Sequence, residues 1–229
     1  MTDFLFDPPE PVALSLAGGS ARIPVRRIFC VGRNYAAHAA EMGAEVDREA
    51  PFYFTKSAPH LRAGGGTVAY PPGTDDYHHE MELAVVLGAH AYRVTPADAM
   101  DVVLGAACAL DMTRRDRQAE AKEKRRPWDV GKDVEGSAIL GEVTRGFVPE
   151  GQCIRLSVNG EIRQDARLSE MVHSVPEIIA DLSRLYHLAP GDVILTGTPA
   201  GVGAVQPGDV LDGSIEGLTP LHVTIGSKT

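Results

Sequence analysis

The sequence predicts a β-rich α+β fold, on three observations. Short apolar or alternating runs bounded by Gly, Pro, Asn and Asp recur along the 229 residues, the pattern of strands joined by turns. Helical periods are few. Strands and helices do not alternate regularly, which argues against a doubly wound parallel sheet.

Taken in order, residues 1–24 form a lead-in segment and residues 25–229 a single domain. Arg27 to Val31 reads as a strand ended by Gly32. Asn34 is placed to cap a short helix, Tyr35 to Met42, with Gly43 as its stop. Phe52 to Phe54 is a short strand, and Gly64 to Gly73 a Gly/Pro-rich loop. Glu80 to Leu87, apolar but for two acids, is a strand; Pro96 to Val103 resembles a helix, and Ala106 to Met112 a buried strand. Arg114 to Arg126 is so charged that a helix and a mobile loop both fit. Ile154 to Val158 and Glu161 to Arg163 flank Asn159-Gly160, the pair that a type I′ hairpin turn takes. Ser174 and Glu177 have capping-box spacing ahead of Ile178, Ile179, Leu182, Leu185 and Tyr186 at helical period. Pro190-Gly191-Asp192 breaks that helix before a strand, Val193 to Thr196. Two more strands lie near Asp209 to Ile215 and Leu221 to Ile225.

Composition narrows the function classes. A chain of this length buries roughly 70–75% of its unfolded surface, enough to fold without disulfides or a structural metal. Cys30, Cys108 and Cys153 lack CxxC spacing and read as small apolar residues in a reducing compartment. A formal charge of −9 repels phosphate backbones, so no nucleic-acid partner is expected. The N-terminal stretch is acidic and proline-rich, unlike a signal peptide, and no apolar run approaches ~18 residues, so no membrane partner is expected. These readings point to a cytoplasmic globular protein.

Five places could carry chemistry. In a strand, Glu80 and Glu82 share a face while Met81 and Leu83 take the other. Two like charges running straight into Leu83 to Leu87 call for a cation between them, although an exposed strand edge would also accommodate them. Asp111 ends the apolar run Gly105 to Leu110; it is either a turn cap or, with Glu80 and Glu82, the third member of an all-oxygen set suited to Mg²⁺ or Mn²⁺. His78 and His79 leave a nitrogen-ligated metal open. His38 and Glu41, at i and i+3, share a helix face as a surface ion pair or as a general base with its orienting acid. Arg115, Gln118 and Lys132 bring donors near Asp111, either as a solvated charged stretch or as an anion site. Thr196 to Gly203 is a Gly-rich turn without the GK[ST] ending of a phosphate loop; its glycines fit close approach of backbone to a small ligand.

Several of these motifs stand together in a pattern that resembles a known family. Val31-Gly32-Arg33-Asn34-Tyr35-Ala36, Lys56, His79 to Leu83, Asp111 to Gln118, Pro127-Trp128, Lys132 and Gly197 to Gly203 are similar to the fumarylacetoacetate hydrolase family, from about residue 25 to the end. Phe4 to Pro9, Pro51 to Lys56 and Arg126 to Lys132 resemble its fumarylpyruvate hydrolase and acylpyruvase branch. One departure is Ser57, where the pattern carries proline after the lysine.

The resemblance implies a mixed β-sandwich roll, a single catalytic domain and a homodimer. It implies Mg²⁺ or Mn²⁺ on Glu80, Glu82 and Asp111, and His38 and Glu41 as the water-activating pair on a segment that closes over the site. It places Arg115, Gln118 and Lys132 around a bound keto acid, with Lys132 supporting an oxyanion, and Thr198 against the substrate; Arg33 and Lys56 match substrate-side positions. The implied activity is metal-dependent hydrolysis of a carbon–carbon bond in a small-molecule 2,4-diketo acid from aromatic breakdown. Decarboxylation of oxaloacetate, hydrolysis of simpler acylpyruvates and a silent ligand-binding module are the alternatives.

Overall fold

The computed structural model describes residues 4–228, and its architecture follows from strand parity. Met81–Leu87 is a strand buried along its whole length, so both its faces need cover. Met81, Leu83, Val85 and Leu87 belong to one apolar cluster, and Ala84 and Val86 to a second on the opposite side. Its neighbour Val103–Asp111 divides in the same way, with Ala107 and Ala109 in the second cluster and Cys108 and Leu110 in the first.

These two strands are the centre of an eight-stranded mixed sheet. Its order is Phe52–Lys56, Arg27–Gly32, Asp192–Leu195, Met81–Leu87, Val103–Asp111, Ala138–Leu140 and Leu61–Ala63, and Thr144–Arg145 also pairs with Val103–Asp111. The pairs Arg27–Gly32 with Asp192–Leu195 and Ala138–Leu140 with Leu61–Ala63 are parallel; the others are antiparallel. A five-stranded sheet, in the order Glu161–Arg167, Cys153–Val158, Val210–Ile215, Leu221–Lys228 and Gly66–Tyr70, covers the first cluster with Ile154, Leu156, Leu211, Val223 and Ile225. The opposite face is closed in part by a hairpin, Ala13–Ser15 with Arg22–Pro24, whose Leu14 is fully buried. The molecule is therefore a mixed β-sandwich roll with few helices.

Most predicted elements are present. Asn159 (φ 52°) and Gly160 (φ 81°) form the turn of the Cys153–Val158 and Glu161–Arg167 hairpin. Both reciprocal bonds of the capping box join Ser174 and Glu177 ahead of the helix Val175–Leu185. The charged stretch is a helix, Arg115–Glu123. Three expectations need correction. Residues 64–73 are not all loop: Gly64, Gly65 and Gly66, at positive φ, turn the chain, and Gly66–Tyr70, rich in β-forming side chains, joins the five-stranded sheet in parallel with Leu221–Lys228. Pro96 to Val103 is not an α-helix but a 3₁₀ turn, Ala99–Val102, running into the strand that Val103 begins. Asn34 does not cap the Ala36–Glu41 helix, where Tyr35 holds the cap position. Its amide instead donates to the carbonyls of His173 and Thr196 and accepts from the His173 N–H, because burial leaves it no water partners.

Candidate active site and metal centre

The register of the two central strands brings the acids together. Glu82 lies opposite Ala109, and the Asp111 N–H donates to the Glu80 carbonyl at 2.9 Å. Glu80, Glu82 and Asp111 thus project from the same side of two adjacent strands, next to small alanines. One oxygen from each lies within 4.8 Å of the others, and all three residues are buried.

Cations compensate part of this charge. Lys132, on the short helix Asp129–Lys132, donates to Glu80 Oε2 and Asp111 Oδ2 at 2.7 Å each and to Thr113 Oγ1 at 2.8 Å. Arg115 at the start of its helix donates to Glu80 Oε1 at 2.5 Å and to Gln118 Oε1 at 2.7 Å. Gly131 allows the two helices to meet, since a Cβ there would lie 2.8 Å from the Gln118 nitrogen. Lys56 pairs with Asp111 Oδ1 at 2.9 Å from beneath and donates to the Met112 and Lys132 carbonyls and to Ser137 Oγ.

Burial and these neighbours pull the acids apart electrostatically. Burial pushes Glu80 up, but Lys132, Arg115 and His38 together outweigh it and hold the carboxyl well below its ordinary range. Glu82 moves the other way: burial, then the charges of Asp111 and Glu80, raise it strongly. Its hydrogen-bond donor is the Gly197 N–H at 2.8 Å, and no cationic side chain pairs with it among the described residues. Burial lowers Lys132, yet Asp111 and Glu80 more than reverse this and keep it protonated. A set of three buried carboxylates, one of them without a cation, fits a hard divalent ion. His78 and His79 are not part of it. His78 Nε2 lies 2.7 Å from Asp76 and His79 Nδ1 3.2 Å from Gln164.

The acids floor a cleft. His38 and Thr198 form part of its wall, with Arg115, Gln118 and Lys132, while Arg33 and Lys122 reach its rim. His38 Nδ1 is 3.3 Å from Glu41 Oε2, and Glu41 in turn accepts from the Gly201 N–H at 3.1–3.2 Å. Gly201 has φ +96°, and a Cβ there would meet the Arg163 carbonyl oxygen, so only glycine brings that N–H to Glu41. Burial lowers the His38 pKa, against opposing contributions from Glu80 and Glu41. Thr198 Oγ1 donates to the Met81 carbonyl at 2.8 Å.

Two expected positions change meaning in the fold. Lys56 does not line the cleft; it is 3% exposed and sits behind Asp111, so the structure gives it no direct path to a substrate. Ser57 binds Asp133 through its N–H (2.9 Å) and its hydroxyl (2.5 Å), and a proline there could make neither bond. This ties the segment next to Lys132 to the strand Phe52–Lys56. The reading of the sequence did not single out Gln164, which is fully buried. Its carbonyl oxygen accepts from the Met81 N–H and faces His79 Nδ1, and its amide nitrogen donates to Thr198 Oγ1 and the Pro199 carbonyl. Alternation of a polar Gln in an otherwise exposed strand was the only available signal.

Comparison with known proteins agrees with this geometry. Residues 27–226 match the model of the fumarylacetoacetate (FAA) hydrolase C-terminal family. A fumarylpyruvate hydrolase from Ralstonia sp is 48% identical over 189 residues, 81% of this chain and 98% of that protein. A mitochondrial oxaloacetate decarboxylase from Dictyostelium discoideum is 41% identical, covering 84% of this chain and 90% of its own. The crystal structure of fumarylpyruvate hydrolase from Pseudomonas aeruginosa in complex with Mn²⁺ and pyruvate superposes with a TM-score of 0.95 at 41% identity, covering 99% of this chain and all of that one.

Proposed function

The chain belongs to the fumarylacetoacetate hydrolase family, and from that premise we propose that it hydrolyses a carbon–carbon bond in a 2,4-diketo acid, fumarylpyruvate being the substrate, with fumarate and pyruvate as products. The observation that carries this reading is one cleft in which three buried carboxylates face a histidine–glutamate pair.

Glu80, Glu82 and Asp111 would hold Mg²⁺ or Mn²⁺. When bound, that ion supplies a Lewis acid that lowers the cost of the negative charge released as the bond breaks. The remaining work falls to side chains. Neutral His38 takes a proton from water, whose oxygen adds to the C4 carbonyl, and Glu41 stabilises the imidazolium that forms. The C3–C4 bond then breaks, leaving the acyl half as a carboxylic acid. The pyruvate half leaves as an enolate, which gains a proton at C3. Gln118 and Arg115 present donors around the keto acid, Lys132 adds its positive charge at the floor, where Glu80, Asp111 and Thr113 take its three N–H groups, and Thr198 and Arg33 complete the substrate contacts. Lys56 holds Asp111 from behind.

The 48% identity to a fumarylpyruvate hydrolase and the likeness to an Mn²⁺- and pyruvate-bound relative support this reading. The 41% identity to an oxaloacetate decarboxylase favours a second reading, in which the same floor stabilises pyruvate enolate after loss of CO₂. Assays of fumarylpyruvate, acetylpyruvate and oxaloacetate on the Mn²⁺-loaded protein separate the two. Fastest loss of fumarylpyruvate with equimolar fumarate and pyruvate is the expected result; faster turnover of oxaloacetate overturns it.

The proposal extends to a cytoplasmic homodimer working in aromatic catabolism. Cys30, Cys108 and Cys153 are free thiols, as a reducing compartment requires. Phe4, Leu5 and Phe6 are exposed by 67–90%, apolar surface of the kind a subunit contact covers. Light scattering at twice the chain mass is expected; a monomer at micromolar concentration removes the dimer.

A further inference from the structure

The cations of the cleft fall into two groups. At the floor, Lys132, Arg115 and Lys56 all pair with Glu80 or Asp111. At the rim, Arg33 and Lys122 have no carboxylate partner among the described residues. Each rests instead on an aromatic ring: the Arg33 guanidinium carbon lies 5.8 Å from the Phe52 centroid, and Lys122 Nζ lies 5.0 Å from that of Trp128. The two rings touch, their centroids 4.9 Å apart. Phe52 and Trp128 therefore hold two cations above one cleft and leave their N–H groups free to donate.

Holding like charges together costs energy. Arg33 and Lys122 line the same cleft, and the Lys122 ammonium is pulled below its ordinary value by burial and then by the charges of Arg115 and Arg33. Arg33 is also kept at φ 59°, a backbone conformation that an arginine rarely adopts. An anion placed between Arg33 and Lys122 removes the repulsion and uses the free donors. Lys122 lies on the same helix as Arg115 and Gln118, at i+7 and i+4 from them, so one helical face reaches from floor to rim.

We propose that Lys122 and Arg33 bind the carboxylate at the far end of the substrate and so select diketo acids with two carboxylates over those with one. The inference rests on the diketo-acid hydrolase reading above and adds Lys122 as a specificity-determining residue. It also separates the roles of the cations: Arg115 and Lys132 are committed to the floor, Lys56 lies behind it, and among the described residues lining the cleft Arg33 and Lys122 are the cations that remain for a second anionic group.

The test compares Lys122→Met, Arg33→Met, the double variant and Lys122→Arg on fumarylpyruvate and on acetylpyruvate, with Mn²⁺ loaded. The double variant is expected to lose roughly 10–100-fold more kcat/KM on fumarylpyruvate than on acetylpyruvate, as two charge-assisted hydrogen bonds warrant. The loss is expected in KM, and Lys122→Arg to retain most of the selectivity. Equal losses on both substrates, or none, overturn the proposal while leaving the hydrolase reading intact. Calorimetry on the Mn²⁺-loaded protein reads the rim without turnover: fumarate is expected to bind more tightly than crotonate, its monocarboxylate counterpart, and the double variant to erase the difference. Equal affinity in the wild type overturns the proposal. Failure of the wild type to cleave either diketo acid counts instead against the hydrolase reading.

Discussion

The floor and the rim of the cleft are built on opposite principles. At the floor, side chains from the two central strands are buried and fixed by strand register, and most charges have partners at 2.5–2.9 Å. At the rim, Arg33, Lys122, Phe52 and Trp128 come from a turn, a helix, a strand end and a helix start, and are held by ring contacts instead of ion pairs. The floor has one unmet electrostatic demand, a cation near Glu82; the rim has the opposite demand, an anion between two cations. A ligand with a keto acid at one end and a carboxylate at the other, together with a divalent ion, answers both. Fixed strands suit chemistry that tolerates little misplacement, and longer, softer side chains suit recognition of a terminal group.

The comparison breaks most sharply at Glu82. Glu82→Ala is expected to lose Mn²⁺ binding and turnover together, by at least ~10³-fold in kcat/KM, because several kcal/mol of Lewis-acid stabilisation go with the ion. Manganese titration followed by electron paramagnetic resonance, run beside the assay, checks it; a variant that binds Mn²⁺ normally would show that the floor is not the metal centre.

His38 stands between the two regions and tests whether catalysis belongs to the floor alone. His38→Ala is expected to bind Mn²⁺ as the wild type does and to lose about 10²–10⁴ in kcat. The pH profile adds a sign. A base must be neutral to act, and burial holds His38 below 6.5, so activity is expected to fall on the acid side only below that pH. Glu41 raises the His38 pKa, so Glu41→Gln is expected to move the acid limb lower still. A limb above 6.5 points to another base.

Gln164 tests how rigid the floor must be. Gln164→Leu strands the Met81 N–H and the Pro199 carbonyl without partners and is expected to cost about 1–3 kcal/mol in urea unfolding. The smallest effect belongs to the rim. Trp128→Leu removes the platform under Lys122 and is expected to raise KM for fumarylpyruvate roughly 2–5-fold, the scale of one cation–π contact, with kcat little changed. A larger kcat effect would move Trp128 from the rim to the reacting end.

Much of the floor was legible in the chain because strand geometry is local. The spacing of Glu80 and Glu82 already put both acids on one face, and the apolar residues after them already marked that face as buried. Asn159-Gly160 and the Ser174–Glu177 box fixed a hairpin and a helix start for the same reason, since each involves only neighbours. Asn34 misled because a good capping residue can be drawn into a buried network formed with residues more than 130 positions away. The strand Gly66–Tyr70 was hidden by the glycines around it, since its partner lies at the other end of the chain.

By itself, then, the sequence determined the β-rich class, the facing of the acid pair and the family. Only the tertiary structure decided that Asp111 lies beside Glu80, that Lys56 stands behind the site, and that Phe52, Trp128, Arg33 and Lys122 meet above it. The reason is physical. Side-chain direction within a strand or helix repeats every two or 3.6 residues and can be read locally, whereas contacts between distant segments follow from how whole sheets and helices pack, which no short window of residues contains.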